Sequence, residues 1–415
     1  MSRCGGALAD VWRREAPHVL AALLRRYGDL GDCEDAAQDA AEAAARQWPT
    51  DGVPADPRAW LVRVASRRLI DRFRADAART RREEHDAARG VGAVPAADEV
   101  AAAATDGADD PLRLLVLCCH PALSRPSQVA LSLRAVAGLT VDQIAAAYLV
   151  PARTMTQRLT RARAQLRGAG ARFALPSEGE LPERVAAVLD VCHLVFTEGY
   201  SRTSGAALTD VALADEGIRL TRAVRRALPD HDEAAGALAL MLLTHARSPA
   251  RVDRYGDLVP LAEQDRGRWC RALIDEGVAL LKSTLPRGHV GRYQLQAAIA
   301  AVHADAATYA DTDWRQIAVL YGMLHAVAPG PAVTLNHAVA VAMVHGPDTG
   351  LALLAPLVAD PAMRRHHRLH AVRAHLRELA GDRDGAAEDY RRAARLTASL
   401  PEQRYLNRRL AALAG

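Results

Sequence analysis

Residues 131–167 read LSLRAVAGLTVDQIAAAYLVPARTMTQRLTRARAQLR, and the fold is decided in this stretch. Thr140-Val-Asp-Gln143 has the T-x-x-Q spacing of a capping box, in which hydroxyl and amide side chains satisfy the orphaned backbone amides of a helix start. A short helix is therefore expected from Thr140, with Ile144 and Tyr148 turned inward. Leu149-Val150-Pro151 breaks it, and Pro151 suits the start of the next helix because the amide it lacks would have no partner in a first turn. In that next helix Met155, Leu159, Ala162 and Leu166 fall at i, i+4, i+7 and i+11, a single inward stripe. Arg153, Thr154, Thr156, Gln157, Arg158, Arg161 and Arg163 are left outside. A short helix, a turn and a longer helix with a basic, hydrogen-bonding face have the form of a helix-turn-helix whose second helix enters the major groove. Arg reads guanine and Gln reads adenine through paired hydrogen bonds. Arg153, Thr154 and Gln157 are thus expected at base edges, and Arg158, Arg161 and Arg163 on phosphates.

Charge supports a nucleic-acid partner only when taken by segment. The 415 residues carry a net charge of +4, which alone points to no partner. Residues 10–57, however, hold five arginines against ten acids, and residues 58–82 hold nine arginines against Asp71 and Asp76. Residues 85–111 hold Arg89 against six acids, and residues 112–175 hold nine arginines against Asp142. Two basic segments separated by an acidic, Ala/Gly-rich stretch suit two nucleic-acid-binding units on a tether. From residue 176 onward the signs balance.

The N-terminal unit contains three expected helices. One runs from near Asp10 to Tyr27, with Val11, Val19, Leu20, Leu23 and Leu24 apolar, and stops at Gly28. The second begins at Asp32 as N-cap, with Glu34 and Asp35 in its first turn, and ends before Pro49. The third opens at Pro57 and buries Leu61, Ala65, Leu69 and Phe73, with Arg63, Arg67, Arg68, Arg72 and Arg74 along other edges. A single strand needs a basic groove and stacking surfaces, for which Trp48, Trp60 and Phe73 are the candidates.

The segments Asp32–Trp48 (DCEDAAQDAAEAAARQW) and Pro57–Arg74 (PRAWLVRVASRRLIDRFR) resemble region 2 of bacterial extracytoplasmic-function (ECF) sigma factors of the sigma-70 family, and Leu131–Arg167 resembles their region 4. The resemblance implies that Asp32, Glu34, Asp35, Gln38 and Asp39 dock on the clamp of core RNA polymerase. It implies that the loop with Asp51 and Gly52, together with Trp60, Arg63, Arg67, Arg68 and Arg74, holds the melted minus-10 strand. Region 4 would read the minus-35 duplex and contact the polymerase flap. The Leu149-Val150-Pro151 turn departs from the family's usual Gly-Ile-Ser type of break.

The C-terminal half reads as helices separated by Pro or Gly breaks. In His370–Leu396 the order Ala374, Gly381-Asp382, Ala386, Tyr390, Ala393 fits a tetratricopeptide template, and Asn336–Leu354 is a weaker copy. Phe196–Gly205, Ala262–Trp269, Tyr293–Ala306, Asp311–Tyr321 and Gln403–Leu410 are similar to segments of the sigma-factor subgroup that carries a C-terminal tetratricopeptide-type extension. That resemblance implies a regulatory role through a protein partner. The expected organisation is all-α: residues 1–84 as region 2, 85–111 as an acidic linker, 112–175 as region 4, and 176–415 as a helical repeat domain.

An enzyme is the weaker reading. His366 and His370 at i, i+4 have no third ligand set by spacing, no HExxH glutamate occurs, and no phosphate-binding glycine loop is present, so neither metal nor cofactor is expected. Cys118 and Cys119 lie in the apolar run LLVLCCH, where burial explains them. Scattered cysteines and a start without a continuous apolar segment suit a cytoplasmic protein without a membrane span. The stronger rival is a stand-alone helix-turn-helix regulator with a repeat-type sensor domain, which would leave the acidic second helix and basic third helix without a purpose. A pure scaffold would not account for the two basic segments.

Overall fold

Helix formers dominate this chain, and the computed structural model, which describes residues 2–83, 109–148, 150–288 and 290–414, is all-α apart from one two-stranded sheet. No helix among the described residues is long and apolar enough to cross a membrane. The chain divides into two units near residue 192.

The first unit opens with α1 (Ser2–Tyr27), α2 (Leu30–Asp51) and α3 (Pro57–Glu83). Leu20, Leu23 and Leu24 of α1, Ala36, Ala40 and Ala44 of α2, and Leu61, Ala65 and Leu69 of α3 are buried together, while Phe73 is only half-buried, 6.0 Å from the Tyr27 ring. The small alanines of α2 let its neighbours approach closely. Two expectations for α2 are corrected. Its N-cap is Asp29, whose carboxylate accepts the Asp32 amide at 3.0 Å, so Asp32 supplies a donor rather than the cap. The helix also runs through Pro49, because a proline in the last turn forfeits only one bond. It stops where Gly52, at φ 83°, donates to the Trp48 carbonyl at 3.0 Å.

Most of the expected acidic linker lies outside the described residues. It ends sooner than expected: α4 (Asp110–Cys118) already includes Asp110, which is 2% exposed and ion-paired with Arg25 of α1. Then follow α5 (Arg125–Ala135), α6 (Val141–Ala147), α7 (Ala152–Gly168) and α8 (Leu181–Tyr200). The two basic segments, expected as separate modules, share one compact unit. That unit extends past residue 175, because Arg184 donates to the Val116 carbonyl at 2.9 Å and Arg125 reaches Asp190 at 3.1 Å, which binds the first turns of α8 to α4 and α5. Cys118 and Cys119 are buried, and burial pushes the Cys119 thiol up to about 12.

The second unit contains α9 (Val211–Ala227), α10 (Asp232–His245), α11 (Arg271–Thr284), α12 (Arg292–Asp305), α13 (Trp314–Val327), α14 (Pro331–His345), α15 (Pro347–Leu353), α16 (Ala355–Ala359), α17 (His367–Leu379), α18 (Arg383–Leu396) and α19 (Leu400–Ala414). Antiparallel hairpins recur, with α14 and α15 turning at Gly346 (φ 89°) and α17 and α18 at Gly381 (φ 82°). Ala374, Ala386 and Ala393 are fully buried, and Tyr390 fills the gap between α17 and α18 with its hydroxyl on Glu378 at 2.7 Å. His366 and His370 have different partners: His366 caps α17, while His370 contacts Asp389 and the Arg364 carbonyl. The end of the unit returns to its beginning. Strand β1 (Ser204–Gly205) pairs in parallel with β2 (Ala398–Ser399), and Arg404 and Arg408 both hold Asp257. The repeat pattern alone does not foretell this closure.

Glycines set the entry to this unit. A Cβ on Gly199 would stand 2.2 Å from the Ala214 amide nitrogen, and one on Gly217 would stand 2.7 Å from that of Phe196. Both obstacles are backbone, so no side chain can yield. Gly217→Ala is expected to destabilise the full chain by about 1–3 kcal/mol, measured by the denaturant midpoint of the C-terminal transition. An unchanged midpoint would show that the two helices part without cost.

Candidate nucleic-acid interface

The helix-turn-helix forms as its local sequence requires. Thr140 Oγ1 accepts the Gln143 amide at 3.2 Å while Gln143 Oε1 accepts the Thr140 amide at 2.8 Å, closing the capping box of α6. Ile144 is fully buried and Tyr148 half-buried. Leu149, part of the expected turn, lies outside the described residues. Pro151 stands at the N-cap of α7, its carbonyl accepting the amides of Thr154 and Met155. The stripe Met155, Leu159, Ala162 and Leu166 is buried throughout.

What remains outside on α7 divides into two edges. Arg153, Thr154, Thr156, Gln157 and Arg161 are exposed and Arg158 half-exposed, so the N-terminal edge is open to a duplex. Arg163 is turned away from that edge. Its Nε and Nη2 both donate to Glu34 Oε2 of α2, at 2.8 and 2.7 Å, with Asp35 at 3.7 Å. One turn later Arg167 holds Asp29 at 2.6 and 2.9 Å. Trp12 of α1 also donates to the Gly138 carbonyl at 3.0 Å. The second helix of the helix-turn-helix and the acidic helix are thus engaged with each other.

Glu34 is 3% exposed, while Asp32 and Asp35 are exposed and Gln38 and Asp39 half-buried, the last paired with Arg72. Burial pushes the Glu34 carboxyl up, and Arg163 and Arg134, the latter 3.9 Å away, pull it back only in part. On the expected single-strand face, Asp51 at the end of α2 and Gly52 after it are exposed, and Arg63, Arg67, Arg68 and Arg74 are exposed along α3. Trp48 is 6% exposed and belongs to the core. Trp60 packs edge-on against it at 5.3 Å and remains half-exposed, so Trp60 alone of this pair can offer ring surface to a base. Asp29, Arg134 and Arg167 were missed in the sequence, where nothing local distinguishes them from other surface charges.

Comparison with known proteins agrees with this geometry. Sigma-70 region 2 matches residues 11–79, sigma-70 region 4 matches residues 113–166, and a family of unknown function, DUF6596, matches residues 184–285. An uncharacterized protein of Rhizobium meliloti (strain 1021) is 39% identical over 401 residues, covering 96% of this chain and 94% of its own. The "Probable ECF RNA polymerase sigma factor SigI" of Mycobacterium tuberculosis is 30% identical over 164 residues, covering 38% of this chain and 54% of its own. No solved structure matches the chain. The protein carries the two promoter-directed regions of a sigma factor. It belongs to the sigma-70 family and is ECF-like.

Two outcomes follow from this surface. Reversing Arg158 and Arg161 to Glu should weaken binding of promoter duplex more than about tenfold and reduce the salt slope by about two, with core polymerase binding nearly unchanged. Salt-dependent anisotropy on duplex DNA measures this, and an unchanged slope would remove both residues from the interface. Acid offers the second. Burial raises the Asp29 carboxyl, but the Asp32 and Gly31 amides and the Arg167 guanidinium overcome it and leave the group below its ordinary value. Its stabilisation of α2 is therefore present above the unfolded carboxylate pKa of about 3.9 and lost as pH falls through the depressed value. Asp29→Asn, which keeps a cap but cannot titrate, should remove that part of the acid transition of the N-terminal unit.

Proposed function

We propose that this chain is an ECF-type sigma factor that binds core RNA polymerase and directs promoter-specific initiation, its C-terminal helical unit regulating activity through protein contacts. The observation that carries the reading is the pairing of an acidic α2 and basic α3 with a helix-turn-helix whose open edge is Arg153, Gln157 and Arg161. A regulator acting without polymerase has no use for the first two. In this reading α2 meets the polymerase clamp, α3 and the turn at Gly52 take the minus-10 strand, and α7 enters the minus-35 major groove. The helical hairpins around Gly346 and Gly381 are read as tetratricopeptide-type, the second with the alanine contacts and interposed Tyr390 of that template.

The free chain is then a closed form. Glu34 is expected to contact polymerase and Arg163 to contact DNA, yet each is the other's partner, so docking requires them to separate. The test is co-elution with bacterial core polymerase of the full chain and of a variant carrying Arg163→Ala and Arg167→Ala. Removing Arg163 takes the direct partner from the buried Glu34 carboxylate, at a cost of about 3–5 kcal/mol, and removing Arg167 frees Asp29, so the variant should favour the open form and bind core at least about tenfold more tightly. Equal affinity would overturn the closed form. Failure of both proteins to bind core while duplex DNA is retained would overturn the sigma reading and favour a stand-alone regulator.

A further inference from the structure

Four segments of the C-terminal half, around Tyr200, Arg266, His303 and Trp314, lie outside the residues matched to sigma-70 regions 2 and 4, and they converge on one cluster of arginines. Arg251, 8% exposed, lays its guanidinium over the Tyr200 ring at 3.6 Å and donates to the Tyr200 carbonyl. Arg247 approaches the same ring at 5.9 Å and donates to the Tyr200 hydroxyl at 3.0 Å. Arg266 lies over the Trp269 ring at 4.9 Å and donates to the carbonyls of His303 and Ala306, at 2.5 and 2.6 Å, and to Thr312 Oγ1 at 3.1 Å.

Among the described residues none of these three arginines has a carboxylate at ion-pair distance. The acids that act on them from further off are engaged elsewhere, Glu402 with His367 and Thr397, and Asp311 with Thr308. Three polar atoms of the cluster are buried without a hydrogen-bond partner: Arg247 Nε, Trp269 Nε1 and His303 Nδ1. Arg247 Nε and Trp269 Nε1 can only donate, and each buried donor left unpaired costs about 1–3 kcal/mol, to which clustered like charges without a counter-ion add. Burial together with the charges of Arg247 and Arg266 drives His303 down to about 4, so its imidazole is neutral and adds no further positive charge. The site has donors and positive charge in excess and lacks acceptors and negative charge.

We infer that Arg247, Arg251 and Arg266 form a binding site for the oxyanion of a small molecule, a phosphate or a carboxylate. Planar guanidiniums present paired donors that match either group. Trp314, 5.3 Å from His303, and Tyr309, 5.5 Å from Trp314, offer apolar surface beside the arginines for an organic remainder. Arg247, Arg266, Tyr309 and Trp314 are half-buried beside the buried Arg251, which suits a small ligand rather than a folded partner. The site stands on its own geometry and does not depend on the promoter-binding reading.

The test is calorimetry and thermal unfolding of the full chain with inorganic phosphate and, separately, citrate, against chloride at equal ionic strength. Saturable binding is expected, with affinity falling at least tenfold in Arg247→Gln and in Arg251→Lys and retained when Arg158 and Arg161 are reversed. Phosphate alone would identify a phosphate ligand, and citrate alone a carboxylate. Absence of saturable binding by either anion would overturn the proposal. So would binding that survives both substitutions or vanishes with Arg158 and Arg161, since the anion would then sit on the DNA-binding surface.

Discussion

A carboxylate taken out of water must find cations, and Glu34 finds two from helices remote in sequence. Arg163 bonds it directly and Arg134 stands 3.9 Å away, while the carboxylate itself is 3% exposed. The N-terminal bundle and the helix-turn-helix are held together around this charge, with Arg167 on Asp29, Arg25 on Asp110 and Trp12 on Gly138 as further contacts. Burial still leaves the carboxyl raised, so the ionised form is imperfectly compensated.

The C-terminal unit closes by different means. Its hairpins pack through alanine contacts, and the closure of its two ends rests on a two-residue parallel ladder and on Asp257 shared by Arg404 and Arg408. The arginine cluster on Tyr200 lies in the same unit and, among the described residues, has no carboxylate at ion-pair distance. Buried Glu34 in the first unit and buried Asp389 in the second each have arginine partners, unlike this cluster.

Individual elements were legible because their signals are local. The capping box at Thr140, the stripe from Met155 to Leu166, the start of α3 at Pro57 and the Ala374–Ala393 hairpin all depend on residues within a few turns of each other, where helical geometry fixes which side chains share a face. The same logic misplaced the cap of α2 at Asp32, since Asp29 and Asp32 are equally plausible until the backbone shows which carboxylate accepts and which amide donates. It also ended α2 early at Pro49, because a proline's cost depends on how many turns follow it.

By itself the sequence determined the helices, their buried faces and the solvent-exposed edge of α7, for each is set by spacing along one chain segment. Tertiary structure decided the rest: that Glu34 pairs with Arg163 across 129 residues, that Ser204 meets Ala398, and that Arg247 and Arg251 share one tyrosine ring. Charges carry no address in the sequence. Any arginine attracts any carboxylate, and only the packing of the apolar faces brings particular ones within reach.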